Sequence, residues 1–565
     1  MTKLQFRVLY RQFLFRVVDL ELLSPRGDMS KLLGQFASLL VFFGLMLAFG
    51  AFGIGDRRLP REALMVSAWG FEHALIATTM LVVGLFAVLS WDSTFPDRRD
   101  VLVLAPLPVH AHTLFLAKVA AVATALSLTV FALNALAGIV LPFVFLPANA
   151  NLLDMIFSLG LYRSFAAYWI TMLSAGAFIF CSVLAVQGLA AYMLSRRRFL
   201  RLSAFLQMAA FCLFVSVYFL QPSLATPKAL SAPENRYLLA WLPSYWFLGL
   251  FQQLNGSIHP AMVPLARRAW TGLGIAVLAS GTAFLLSYFR TLRKIIEEPD
   301  ILPSPRRRRW SPRFGNSLQT AVVQFSIRAL LRSRQHRVML AFYLGIGFAI
   351  VLLFMKTPRA QHLNRANTRL LFSSLVIMCV WVVGTRVVFS MPVALSANWI
   401  FRLTEVRGAS EYLTAIRRPL FVLAVGPVWL VSATLFLSIW PWRQAAGHLA
   451  ILGLWGLILA YASLHGFQKI PFTCSYRPGK SFFHMAFLAA LGLLLLLVKG
   501  VDFESRALYD SASYFKMLIV LGSAAILARW GTLTLAKSQE TIVQFEDLEP
   551  PVILGLGLHR DGSFH

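Results

Sequence analysis

Charge is what this sequence lacks. Only 13% of its residues are charged while 58% are hydrophobic, whereas a soluble domain carries roughly 25% charged residues. That balance excludes a soluble enzyme of this length. Acids are the scarcest of the charged residues, with 24 Asp+Glu against 52 Lys+Arg, and the long apolar stretches hold almost none of them. Proton- and sodium-driven carriers place acids at the membrane midplane, so this scarcity argues against that mechanism. Cysteine is also sparse: Cys181, Cys212, Cys379 and Cys474 are the only four, none in a CxxC spacing, which excludes a disulfide framework or a zinc site. A phosphate cradle is missing too. The nearest approach to GxxxxGK followed by Ser or Thr is Cys474 to Ser481, where Cys474 replaces the turn-forming glycine and Pro478 removes an amide donor. The chain therefore has no nucleotide site of its own.

What is present is a regular succession of apolar runs. They fall at 32–53, 71–91, 114–143, 167–194, 203–221, 269–289, 338–355, 370–391, 419–440, 448–464, 482–498 and 514–533, each close to the ~20 residues that cross a bilayer. The expected fold is an all-α polytopic membrane protein of about 12 transmembrane helices. Placing the N-terminus inside leaves most Lys and Arg in cytoplasmic connections, which predicts both termini in the cytoplasm. The net charge of +28 is then a matter of topology and anionic lipid rather than of nucleic acid, for which neither an aromatic platform nor a recognition fold is present.

Two basic amphipathic segments punctuate the runs. Before the first, Phe6, Leu9, Phe13 and Val17 share a helical face with Arg7, Arg11 and Arg16 beside it, the pattern of a helix lying in the interface. Before the seventh, Val322, Phe325, Ala329 and Leu330 alternate with Arg328, Arg332, Arg334 and Arg337. Between the halves lies a Pro-flanked stretch carrying Arg306, Arg307, Arg308 and Arg309. Together with Arg7 and Arg11, these arginines suit anionic headgroups. The order of elements predicts two parallel six-span repeats, each preceded by an amphipathic interfacial helix. The expected divisions are 1–295, a linker at 296–315, 316–536, and a cytoplasmic tail at 537–565.

Polar residues with chemical potential are few. Asp56 sits beside Arg57 and Arg58 in a short outer loop and reads as a solvated turn. Glu72 and His73 open the second run, where a polar pair caps the helix or snorkels, a relay role being the sharper alternative. Two cytoplasmic connections are more informative. The segment 92–113 holds Asp97, Arg98 and Arg99 with Pro106 and Pro108, and 392–416 holds Trp399, Phe401, Arg402 and Glu405. Apolar and charged groups together on a short stiff element suit a docking surface, although Arg and Trp also anchor to anionic lipid.

This order, with the stretch from Arg98 to Lys118 (RRDVLVLAPLPV…LFLAK) and Trp241 to Leu250 (WLPSYWFLGL), resembles the permease subunit of type-2 ATP-binding cassette exporters, with two six-span halves fused in one chain. The resemblance implies a substrate pathway through a bacterial inner membrane. Two copies of a separate ATPase would dock at Asp97, Arg98, Arg99, Trp399, Phe401, Arg402 and Glu405, with ATP and magnesium held on that partner and no cofactor or enzymatic activity in this chain. It also implies short interfacial helices on the outer side near Trp241. The short connection at 499–513 departs from that pattern. A twelve-span secondary carrier of the major-facilitator type is the alternative reading, and a membrane-bound transferase the third.

Overall fold

The computed structural model describes residues 3–18, 40–41, 44–45, 61–91, 110–144, 159–256, 259–297, 312–355, 367–391, 409–465, 467, 470–473 and 483–538. Among these the regular structure is all helical, with no strand, and nine helices are long and apolar enough to cross a membrane. Helices satisfy every backbone donor and acceptor within one segment, as a bilayer demands. The chain divides into two compact units, Met1–Arg306 and Arg307–His565. The division falls inside the run of four arginines.

In the first unit, α1 (Lys3–Val18) precedes α2 (Arg61–Leu89), α3 (Ala111–Val144), α4 (Leu159–Met193) and α5 (Arg196–Leu220). Short α6 (Pro227–Ser231) and α7 (Arg236–Trp241) lead to α8 (Pro243–Asn255) and long α9 (Met262–Glu297). Of the expected amphipathic face of α1, Leu9 and Phe13 bury against Ala117 and Ala121 of α3, flanked by Phe6, Tyr10 and Leu14. The small alanines let α1 approach closely. Tyr10 donates to Thr124 Oγ1 at 3.1 Å, and the Lys118 ammonium sits 5.3 Å from the Phe13 ring centre, a cation–π contact that suits a lysine buried at this depth. Helix α2 is buried nearly all round and packs on α3, α4, α5 and α8, so it is the hub of the unit.

The second unit runs α10 (Ser317–Arg332), α11 (Arg334–Met355), α12 (Thr368–Phe389), α13 (Ala409–Leu420), one π-helical turn at Phe421–Val425, α14 (Gly426–Ile439), α15 (Trp442–Ser463), α16 (Phe483–Ala507) and α17 (Ser511–Ser538). Val322, Val323, Ser326 and Ala329 form the buried face of α10, which packs on α13. Here α12 is the hub, packing on α11, α14, α15 and α16. The wide turn before α14 has a chemical cause. Pro427 has no N–H to give Leu423 O, and Trp381 Nε1 of α12 donates to that carbonyl instead, at 2.8 Å.

Two features differ from the sequence reading. Helix α8 is not a surface helix: Tyr245, Phe247, Leu248 and Leu250 are fully buried, and it packs on α2, α4 and α9. The close approach is set at Gly249, where an added Cβ would lie 2.4 Å from Leu265 Cβ. The connection expected at 499–513 is instead largely helical, because α16 continues to Ala507 with Leu497, Val501, Glu504 and Ala507 on one buried stripe.

Candidate functional site: buried histidine–glutamate clusters

Each unit encloses a polar cluster built around a histidine. In the first, α2 carries Glu72 and His73 in its fourth turn, both buried. They neither cap the helix nor snorkel, because α2 begins a dozen residues earlier and α8 lies over them. His73 Nε2 pairs with Ser244 Oγ at 3.0 Å, and Ser244 donates to Gln221 Oε1 at 3.1 Å. The Tyr245 ring stacks on the imidazole, with centroids 4.0 Å apart. Gln252 donates to the Glu72 carboxylate. Burial pushes the Tyr245 phenol up from its ordinary value; it stays protonated, donating to Pro222 O and accepting from Leu224 N at 2.9 Å. About two helical turns along α2, Thr79 meets Asn134 of α3, which accepts from the Tyr168 hydroxyl of α4 at 2.8 Å. These bonds replace the water that three apolar helices exclude.

In the second unit, three helices converge on His448. Its Nδ1 lies 2.6 Å from Glu504 Oε1 and its Nε2 2.8 Å from Ser374 Oγ. His448 and Glu504 are 0% exposed and Ser374 is 5% exposed. Phe436 of α14 and Trp440, just past its end, set their rings edge-on to the imidazole, at 4.9 and 5.9 Å between centroids. Ser374 Oγ also lies 2.8 Å from Leu371 O, one turn back in α12. Glu504 Oε2 is buried without a hydrogen-bond partner among the described residues. The arrangement can hold and relocate a proton. It places Ser, His and Glu in the order used for acyl transfer, but the hydroxyl faces packed helix rather than an open cleft.

None of these three residues was singled out from the sequence. Glu504 falls in the connection expected at 499–513, and His448 is the first residue of an expected apolar run. A usable signal was the 3–4 spacing of Leu497, Val501, Glu504 and Ala507, with the acid occupying a core position of the stripe. Of the expected lipid and docking residues, Arg7 and Arg11 lie on the exposed side of α1. Asp97, Arg98, Arg99, Trp399, Phe401, Arg402, Glu405 and Arg306, Arg307, Arg308 and Arg309 lie outside the described residues. The helices on either side of the two candidate docking segments are described. Segment 92–109 follows α2 and leads into α3, which carries α1; segment 392–408 follows α12 and leads into α13, which carries α10. Trp91, the last residue before the first segment, is buried, and its carbonyl accepts from Gln187 of α4. Among the described residues no group of three or more His, Cys, Asp or Glu could hold a metal ion, and Cys181, Cys212 and Cys379 are free thiols. Comparison with protein-family models, with curated proteins and with solved structures finds no match for the chain.

Proposed function

We propose that the chain is the membrane permease of an ATP-binding cassette exporter, with about 12 spans in two parallel six-span repeats, both termini cytoplasmic, in a bacterial inner membrane. One observation carries the reading. In each unit the basic amphipathic helix lies on the helix that follows the candidate docking segment: α1 on α3 after 92–109, and α10 on α13 after 392–408. A movement imposed on either segment would reach the hub helix on one side and the amphipathic helix on the other. Further parallels support a repeat: α2 packs on α4 and α5 as α12 packs on α15 and α16, and α4 packs on α9 as α15 packs on α17. The work would come from a separate ATPase holding ATP and magnesium. The test is co-purification of the full chain with a candidate ATPase. Co-elution and joint ATP hydrolysis support the reading, and an ATPase that neither co-elutes nor responds to the chain refutes it.

A second reading, a proton-driven carrier of the major-facilitator type, gains from the buried Glu72–Gln252 and His448–Glu504 pairs, since intramembrane acids beside histidines form proton paths in such carriers. Reconstituted vesicles separate the two motors. Substrate movement that survives ATP depletion and stops with an uncoupler belongs to the carrier.

A further inference from the structure

We propose that Ser374, His448 and Glu504 form a site that binds and releases one proton, with the Ser374 hydroxyl switching acceptors between the two states. The proposal stands on the geometry of the three residues and is independent of which motor drives the chain. Ser374 has a single hydroxyl proton and two acceptors at the same 2.8 Å distance, Leu371 O and His448 Nε2. If the hydroxyl points at Leu371 O, Nε2 must carry a proton and donate to Ser374 Oγ, and a second proton lies between Nδ1 and Glu504 Oε1. If the hydroxyl points at Nε2, that nitrogen is bare and only the Nδ1 proton remains, donated to the carboxylate. The two arrangements differ by one proton, and every polar atom of Ser374 and His448 stays hydrogen-bonded in both. That property separates this cluster from an ordinary buried histidine, which loses a partner when it titrates.

The two states are not equivalent to their surroundings. With the extra proton the cluster is neutral overall, an imidazolium–carboxylate pair or its neutral equivalent. Without it the site carries one buried negative charge, and Glu504 Oε2 has no donor among the described residues; an uncompensated charge of this kind is costly in an apolar interior. Release of the proton therefore leaves a charged carboxylate oxygen, unpartnered among the described residues, between packed helices.

The groups facing the pair come from four helices. Helix α12 brings Ser374, with Arg369 in its first turn, and α14 with its C-cap residue brings the Phe436 and Trp440 rings. Helix α16 carries Asp502 and Arg506 on its exposed side, and α17 brings the Tyr514 phenol, which donates to Gly447 O at 3.2 Å. On α15 itself, Arg443 is exposed and lies over the Trp442 ring.

Trp440 supplies the readout, because an imidazolium quenches a neighbouring indole more strongly than a neutral imidazole does. The full chain, reconstituted in phosphatidylcholine vesicles, is titrated while tryptophan emission is followed, and the Trp440→Phe signal is subtracted to isolate that one ring. The expected result is a one-proton step with emission rising as pH rises. Glu504→Gln and His448→Gln should each abolish the step, and Ser374→Ala should displace its midpoint. A step that persists in either Gln variant, or a midpoint unmoved in Ser374→Ala, overturns the proposal. Should Glu504→Gln not insert, Glu504→Asp carries the test: it keeps the carboxylate one methylene further from His448, so an unmoved midpoint there also overturns it.

Discussion

Gly249 shows how much one missing methyl group decides. With Leu265 Cβ 2.4 Å, and Ala266 N and Met262 O 3.0 Å, from where its Cβ would stand, the clash is with backbone as well as side chain. Helix α8 cannot yield without leaving α9. Gly249→Ala should lower the thermal stability of the purified chain by about 1–3 kcal/mol of overpacking, read from the detergent-solubilised protein by intrinsic fluorescence. The neighbouring control is Gly274→Ala on α9, where nothing lies within 4 Å of an added Cβ; it should be neutral or slightly stabilising. Trp381→Phe probes a polar contact in the same way. It removes the donor that serves Leu423 O in place of the N–H that Pro427 lacks, and should cost about 1–3 kcal/mol by the same assay.

At the scale of the element, α1 and α17 make separate predictions. Helix α1 holds to α3 through Leu9 and Phe13, so the double variant Leu9→Ala, Phe13→Ala should free it. Hydrogen exchange over Lys3–Val18 should then rise many-fold while α4 and α9 stay protected. The start of α17 depends on Asp510, whose exposed carboxylate accepts from the Ser513 hydroxyl, from Ser513 N at 3.1 Å and from Ala512 N at 3.3 Å. Those bonds hold its carboxyl below the ordinary carboxylate value. A lowered value in the folded state means that the cap is at full strength above the ordinary carboxylate range and is lost as pH falls through the lowered value. Exchange at the first turn of α17 should therefore accelerate on acidification, and in Asp510→Ala it should be fast at every pH. The amphipathic helices were legible in the sequence because arginines and apolar residues alternate at 3.6 spacing with no tertiary information needed. The extension of α16 was not, because Lys499, Asp502 and Glu504 looked like a loop until the apolar stripe beneath them was given a partner. The burial of α8 was hidden for a related reason: WLPSYWFLGL is equally suited to an interface or to a core, and only contact with α2, α4 and α9 decides.

For the whole molecule, topology and docking are the quantities at stake. Reporter fusions at Gly256 and Ser304 should fall on opposite sides of the membrane, outside and inside; finding both on one side would end the proposed twelve-span arrangement. Reversing Arg98 and Arg99 to glutamate should leave insertion intact while weakening association with the ATPase by ~1–3 kcal/mol, the range of a docking contact. A variant that inserts poorly yet binds the ATPase normally would assign these arginines to lipid instead. The arginine run and the second amphipathic segment are local patterns, visible in the sequence without tertiary information. The His448 cluster was not, because it joins residues from three helices that lie more than fifty positions apart in sequence, and no local pattern announces such a meeting.

The wide turn at Phe421–Val425 amounts to a single surplus residue, absorbed where it stands. A chain shortened by one position inside that turn would close it into ordinary helix and leave everything beyond in its present register, with Phe436 and Trp440 still edge-on to His448. Removing one residue elsewhere in α14, between Trp429 and Leu435, would rotate those rings by about 100° away from the imidazole. The protein should thus tolerate a deletion at one place in this helix and fail at the next, and scanning single-residue deletions through 421–435 for folded, membrane-inserted protein would reveal the boundary.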